Sequence, residues 1–335
     1  MIRTLKLMAF ALVLCITASA QSLVGAGATF PNPIYQKWFT EYSTSHPGVT
    51  MNYQSLGSGA GIRQVIAGTV DFGASDGPMT DEQLKQCPEK ILHIPTVLGA
   101  VVPAYNIPGV KQELRFTPEL LADIFLGKIG NWNDPAIAKV NPGVKFPNQS
   151  IVVVHRSDGS GTTYVFTDYL SKVSPEWSSK VGKNTSVKWP VGLGGKGNEG
   201  VAGTIRQIDG AIGYVELIYA AENNIPYGVV QNKHGNFVKA SLESTTAAAA
   251  AAAANMPADY RVSITNADSK SAYPIASFTW LLIPQQSRDA NKGKVLHDFL
   301  QWMLKNGEGE TTELSYAPLP KQVVKQLQAT IATIH

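Results

Sequence analysis

The sequence predicts an α/β fold of mainly parallel sheets, divided into two lobes. Extended apolar runs alternate with stretches of helical periodicity, the pattern left by repeated strand–helix units. The chain has 335 residues, which at roughly 150 residues per domain makes two domains. Two further extended runs, 92–106 and 275–283, stand where the chain would leave one lobe and later return to it.

The first twenty residues are set apart from this pattern. A short basic start carrying Arg3 and Lys6 precedes an apolar run over 7–16, too short to span a bilayer as a permanent helix. Ala18-Ser19-Ala20 follows as a small-x-small site. Together they predict a secretory signal peptide over 1–20, cleaved near Ala20, and an exported product. No later segment has the eighteen or so consecutive apolar residues of a membrane span.

The remaining elements follow in order. Ile34, Trp38 and Tyr42, joined by Tyr35 and Phe39, predict an amphipathic helix opened by Pro31 or Pro33. Residues 49–56 read as a strand, Ile62, Val65 and Ile66 as a helix, and 69–74 as a strand. Residues 151–155 form a β-branched strand, followed by a helical stripe of Val165, Phe166, Tyr169, Leu170 and Val173. After 275–283 come two helices, one carrying Val295, Leu296, Phe299, Leu300 and Met303, the other Val323, Val324, Leu327 and Ile331. The alanine run 247–254 predicts a surface helix of the second lobe, stopped by Pro257. This reading places lobe I at 21–104 and 276–335 and lobe II at 105–275.

Composition excludes several classes. With 44% hydrophobic and 16% charged residues the chain has ample material for a core and is not disordered. The formal net charge is +3; removal of 1–20 takes away Arg3 and Lys6 and leaves +1, far from the basic balance of a nucleic-acid binder. Cys87 is then the one cysteine, so an internal disulfide and a cysteine zinc cluster are excluded. The six histidines show no metal spacing, and no cofactor is expected. Gly57-Ser58-Gly59-Ala60-Gly61 breaks the dinucleotide fingerprint at its last glycine, and Gly197 stands where a phosphate loop needs a hydroxyl. Neither Ser58 nor Ser160 sits in a nucleophile elbow. No catalytic machinery is visible.

Four segments share another feature: 25–31, 57–59, 73–78 and 155–162 each place small residues and hydroxyls where a strand ends and a helix begins. A helix start offers unpaired N–H groups and partial positive charge, and glycine lets backbone approach a guest closely. One such segment is an ordinary helix cap; four, two of them with charged residues, predict a converging oxyanion site.

These segments also carry a resemblance. Gly-Ala-Gly-Ala-Thr-Phe-Pro (25–31), Asp-Phe-Gly-Ala-Ser-Asp (71–76), Arg-Ser-Asp-Gly-Ser-Gly-Thr (156–162) and Gly-Ala-Ile-Gly-Tyr-Val-Glu (210–216) resemble the phosphate-binding subunit of bacterial high-affinity phosphate ABC transporters. Leu-Gly-Lys-Ile-x-x-Trp (126–132) and Trp-Pro-Val-Gly-Leu-Gly-Gly-Lys-Gly-Asn (189–198) extend the likeness in order over nearly the whole chain after residue 20. The resemblance implies a periplasmic binding protein fold of type II: two lobes on a two-strand hinge, closing as a monomer over one phosphate. It implies delivery of that phosphate to membrane permease subunits, with no reaction catalysed. By position it implies ligand roles for Thr29, Phe30, Ser58, Asp76, Arg156, Ser160, Gly161 and Thr162. Asp158 would orient Arg156, and Asp76 would accept the proton that phosphate carries and sulfate lacks. Gly59, Gly77 and His155 vary from the family pattern beside these residues. Two alternatives stay open at this point: another protonated oxyanion, arsenate, on the same fold, and a secreted phosphatase using Ser58 or Ser160, for which no adjacent base or metal ligand is visible.

Overall fold

The computed structural model describes residues 21–253 and 255–335; the predicted signal peptide lies outside the described residues. The first part of the chain forms β1 (Gln21–Gly27), α1 (Asn32–Ser45), β2 (Val49–Ser55), α2 (Ser58–Ala67), β3 (Phe72–Ser75), α3 (Asp81–Leu84) and β4 (Ile91–Asn106). The middle forms β5 (Arg115–Phe116), α4 (Pro118–Phe125), α5 (Pro135–Val140), β6 (Val152–Arg156), α6 (Gly161–Val173), α7 (Pro175–Lys180), β7 (Leu193–Gly195), α8 (Gly197–Gln207), β8 (Ala211–Glu216) and α9 (Leu217–Glu222). The remainder forms β9 (Val229–Gln231), β10 (Phe237–Val238), α10 (Leu242–Ala253), β11 (Ala276–Pro284), α11 (Ala290–Lys305), a 3-10 helix (Gly307–Leu314) and α12 (Lys321–Ile331).

Eight strands join in the order β2-β1-β3-β11-β4-β8-β6-β7, and β10-β9-β5 form a small separate sheet. The pairs β1–β2, β1–β3, β6–β8 and β6–β7 are parallel, as strand–helix–strand units require. β11 and β4 supply the antiparallel centre: β11 pairs antiparallel with β3 and β4, and β4 antiparallel with β8. β4 serves both halves. Its residues Ile91 to Ala100 pair with β11, and Val101 to Asn106 pair with β8.

Pro95 lies within this central strand, where a missing N–H would ordinarily break the ladder. The register answers it. Thr279 pairs with Val97 but Trp280 pairs with Pro95, so a bulge leaves Thr96 without an opposite residue. Thr96 turns its hydroxyl to Tyr35 at 2.8 Å instead.

Two aromatic clusters fill the core. In the first half Phe39 stands with its ring centroid 5.5 Å from Phe72 and 5.2 Å from Phe299. In the second half Phe166 lies 4.7 Å from Phe125 and 4.4 Å from Tyr214. Phe39 and Phe166 belong to the helical stripes read from the sequence on α1 and α6; every member of these two stripes is buried except Val173, which is partly covered.

Two local expectations change. The third strand begins at Phe72 rather than Thr69, because Asp71 pairs differently: its N–H donates to the Val24 carbonyl at 2.8 Å and its carboxylate accepts the Val24 N–H at 2.8 Å. The alanine helix, expected on the surface, buries one face. Ala248, Ala249 and Ala253 are covered, where α10 packs on β4 and β11. Small side chains permit that close approach. Among the described residues no helix is long and apolar enough to cross a membrane.

Gly61 shows how tightly α2 lies on the sheet. A Cβ there would fall 2.7 Å from the Ala26 carbonyl oxygen and 2.8 Å from that of Ala74. Both obstacles are backbone and cannot rotate away. Gly61→Ala should therefore lower stability by about 1–3 kcal/mol despite alanine's better helix propensity, read as a fall in the urea midpoint at unchanged slope.

Candidate functional site

The loops that end β1, β2, β3 and β6 meet at the division of the sheet, at the C-terminal ends of parallel strands, where open α/β sheets hold ligands. Each is shaped by local chemistry. Gly27 leaves β1 at φ 149°, and a Cβ there would meet the Ala74 carbonyl oxygen at 2.1 Å. Its own carbonyl accepts the N–H groups of Leu56 and Gly57 at 3.0 and 2.8 Å, which turns the chain from β2 into α2. After β3, Ser75 donates to the Gly77 carbonyl at 2.5 Å and accepts the Gly77 N–H at 3.2 Å, bending the backbone around Asp76. After β6, Ser160 caps α6 by accepting the Thr163 N–H at 3.0 Å.

The sequence-selected residues come together and are buried. Ser58 Oγ accepts the Asp76 N–H at 3.2 Å. A Cβ on Gly161 would lie 2.3 Å from Asp76 Oδ2 and 2.4 Å from Ser58 Oγ, so the start of α6 rests directly on both. Arg156 forms a two-pronged pair with Asp158, Nε to Oδ1 at 2.8 Å and Nη2 to Oδ2 at 2.5 Å. Its Nη1 is left facing Thr162 Oγ1 at 3.4 Å. The Gly197 N–H donates to Asp158 Oδ1 at 3.0 Å and fixes the carboxylate from the other side.

The N–H groups of Thr29, Phe30, Ser58, Gly161 and Thr162 have no acceptor among the described residues. Buried N–H groups are almost always paired, because an unpaired one costs the energy of a lost hydrogen bond. Five in one place, with the Arg156 guanidinium, make a site that calls for a guest rich in acceptor oxygens. Burial pushes the Asp76 carboxyl up to about 7, against the pull of Thr279, Arg156 and Ser58. Burial acts the same way on Asp158, but the Arg156 guanidinium outweighs it and holds that carboxyl below its usual range.

Several supporting residues escaped the sequence reading. Thr279 Oγ1 donates to Asp76 Oδ1 at 2.8 Å. Asn198 joins Thr29 and Thr162. Three tyrosines donate to three consecutive carbonyls: Tyr53 to Ala28 at 2.7 Å, Tyr219 to Thr29 at 2.5 Å and Tyr316 to Phe30 at 2.6 Å. With these oxygens engaged, the intervening peptide planes are fixed and the N–H groups of Thr29 and Phe30 are held on the opposite side. Only Asn198 left a trace in the sequence, as a polar residue closing the glycine-rich run that leads into α8. Tyr219 and Tyr316 lie 190 and 286 residues away from their partners.

The pH dependence of Asp76 can be worked out. Its folded-state pKa, about 7, lies above its ordinary 3.8. Between these values the folded protein holds a proton that the unfolded chain has lost, so rising pH costs stability. Wild type should therefore lose stability relative to Asp76→Asn as pH climbs from about 4 to about 7, measured by urea unfolding of both proteins across that window.

Comparison with known proteins places the chain. Residues 16–306 match the family model of the PBP superfamily domain. The phosphate-binding protein PstS of Pasteurella multocida is 47% identical over 315 residues, covering 94% of this chain and 91% of that protein. PstS of Xylella fastidiosa strain Temecula1 is 48% identical over 306 residues, covering 91% and 83%. The crystal structure of a phosphate-binding protein from Stenotrophomonas maltophilia superposes with a TM-score of 0.69 at 19% identity, covering 92% of this chain and 94% of that one, which establishes the shared fold. The ordered motifs, the largely parallel strand pairings and these relatives agree: the chain belongs to the PBP superfamily, in the family of the PstS phosphate-binding proteins.

Proposed function

We propose that this protein binds inorganic phosphate between the two halves of its sheet and carries it, as an exported periplasmic monomer, to the membrane permease of an ABC transporter. It binds and releases; it performs no reaction. The observation that carries the reading is the set of five N–H groups with no acceptor among the described residues, on buried residues gathered with the Asp76 carboxyl and the Arg156 guanidinium. Relatives at 47–48% identity that bear the name phosphate-binding protein support it.

In this reading Thr29, Phe30, Ser58, Ser160, Gly161 and Thr162 donate to the anion through backbone and hydroxyl groups. Arg156 adds charge-assisted bonds, and Asp158 holds its guanidinium in place. Asp76 sets the identity of the guest. Between a carboxyl and an oxyanion one proton must lie, since two facing acceptors repel in a medium that screens little. Phosphate near neutral pH brings that proton. Sulfate does not, and meets the carboxylate as an unpaired like charge. Lobe I is 21–104 with 276–335 and lobe II is 105–275, joined by a two-strand hinge formed by the extended runs 92–106 and 275–283.

Titration calorimetry tests this. Above about pH 7, where Asp76 is ionised, wild type should bind phosphate, with arsenate competing and sulfate not. Asp76→Asn turns the acceptor into an amide that can donate, so phosphate should weaken by about 1.5–3 kcal/mol while sulfate begins to bind. In wild type, sulfate should start to compete only as pH falls below about 7, where Asp76 gains its own proton. Unchanged selectivity in Asp76→Asn would remove Asp76 from the site. Small-angle scattering should record a smaller radius of gyration on phosphate addition; identical curves would contradict closure about a hinge.

A further inference from the structure

Asn198 opens α8, is completely buried and stands between the two halves of the sheet. Its Nδ2 donates to Thr29 Oγ1 at 2.8 Å and to Thr162 Oγ1 at 3.1 Å. Its backbone N–H also donates to Thr29 Oγ1, at 3.3 Å. Its Oδ1 accepts the Glu216 N–H at 3.0 Å, which fixes the amide with its NH2 toward the threonines.

A hydroxyl has one proton to give and two lone pairs to receive. On Thr29 both lone pairs are occupied by Asn198. On Thr162 one is occupied by Asn198 and the other faces Arg156 Nη1 at 3.4 Å. Neither hydroxyl has an acceptor among the described residues. Ser58 differs: its Oγ takes a single donor, the Asp76 N–H at 3.2 Å, and faces a carboxylate oxygen at 3.5 Å.

We propose that Asn198 is a positioning residue for the anion, filling the lone pairs of Thr29 and Thr162 so that both hydroxyls can act only as donors to the guest. This rests on the phosphate reading above and deepens it. The guest must present bare acceptor oxygens to both threonines, and its one proton is directed to Asp76. Thr29 follows β1 and Thr162 lies in α6, so the amide completes this arrangement only when the two halves are together. Asn198 thereby links closure to the direction of the two hydroxyl protons.

A double-mutant cycle read by calorimetry with inorganic phosphate tests it, using wild type, Asn198→Ala, Thr29→Val and the double variant. Asn198→Ala should weaken binding by roughly tenfold, and that loss should shrink at least ~threefold when Thr29 is already valine. An Asn198 whose effect on binding does not pass through the Thr29 hydroxyl would cost the same factor in both backgrounds. Asn198→Asp, nearly isosteric, serves as a second variant if the alanine form does not fold. Its oxygen would draw the threonine protons to itself, and its charge repels phosphate equally with and without the Thr29 hydroxyl, so the cycle isolates the hydroxyl contribution. Asn198→Asp should also regain affinity on acidification, as its carboxyl takes up a proton, beyond any change in Asn198→Ala. Equal factors in the two backgrounds, with wild type binding phosphate normally, overturn this inference alone. Failure of wild type to bind phosphate overturns the phosphate reading and this inference with it.

Discussion

Backbone N–H groups without partners are expensive to bury, and the rest of this structure is arranged around five of them. They come from three places in the chain: the Thr29–Phe30 turn, the start of α2 and the start of α6. A solvated loop could satisfy such groups with water; a packed interface cannot. In the proposed function their cost is met when a compact anion accepts from all of them at once. The parallel strands make this possible, because every strand–helix turn then delivers its N–H groups to the same edge. Beside them stands the buried cation Arg156, paired with Asp158. The site is rich in dipoles rather than in charge, consistent with the nearly neutral balance of the chain after residue 20.

Donors hold an anion well only if they do not turn away, and much of the surrounding machinery prevents turning. The tyrosine hydroxyls on three successive carbonyls lock the peptide planes of the first loop. Thr279 holds one oxygen of Asp76 and leaves the other beside Ser58 and Gly161. It lies on β11 where the register shifts to accommodate Pro95, so an irregularity in the central ladder stands beside the residue that aims the acceptor.

The α/β alternation and the clusters of glycine and hydroxyl at strand ends were legible in the sequence because each is a local pattern. Thr29, Ser58, Asp76 and Arg156 lie inside such patterns. The supporting residues do not. Thr279 is one polar residue within an apolar strand, and Tyr316 sits in a segment without periodicity. Their partners lie 203 and 286 residues away, and only the folded sheet brings them near. The alanine helix shows the complementary failure. Propensity identified the helix correctly but could not say which face would be covered, since alanine suits both solvent and a close-packed sheet.

Where the two halves touch, the seam is lined with glycine. Gly59 donates through its N–H to the Gly159 carbonyl at 2.9 Å, Gly77 lies under the ring of Tyr164, and Gly57 sits against Asp158. Glycine has no rotamers to freeze, so bringing these surfaces together forfeits little side-chain entropy. In the proposed function, more of the attraction between protein and guest is then left to be expressed as affinity. In the proposed parting of the halves, side-chain bonds such as Asn198 to Thr29 and Tyr219 to the Thr29 carbonyl must break, while the glycine contacts separate without any rotamer change.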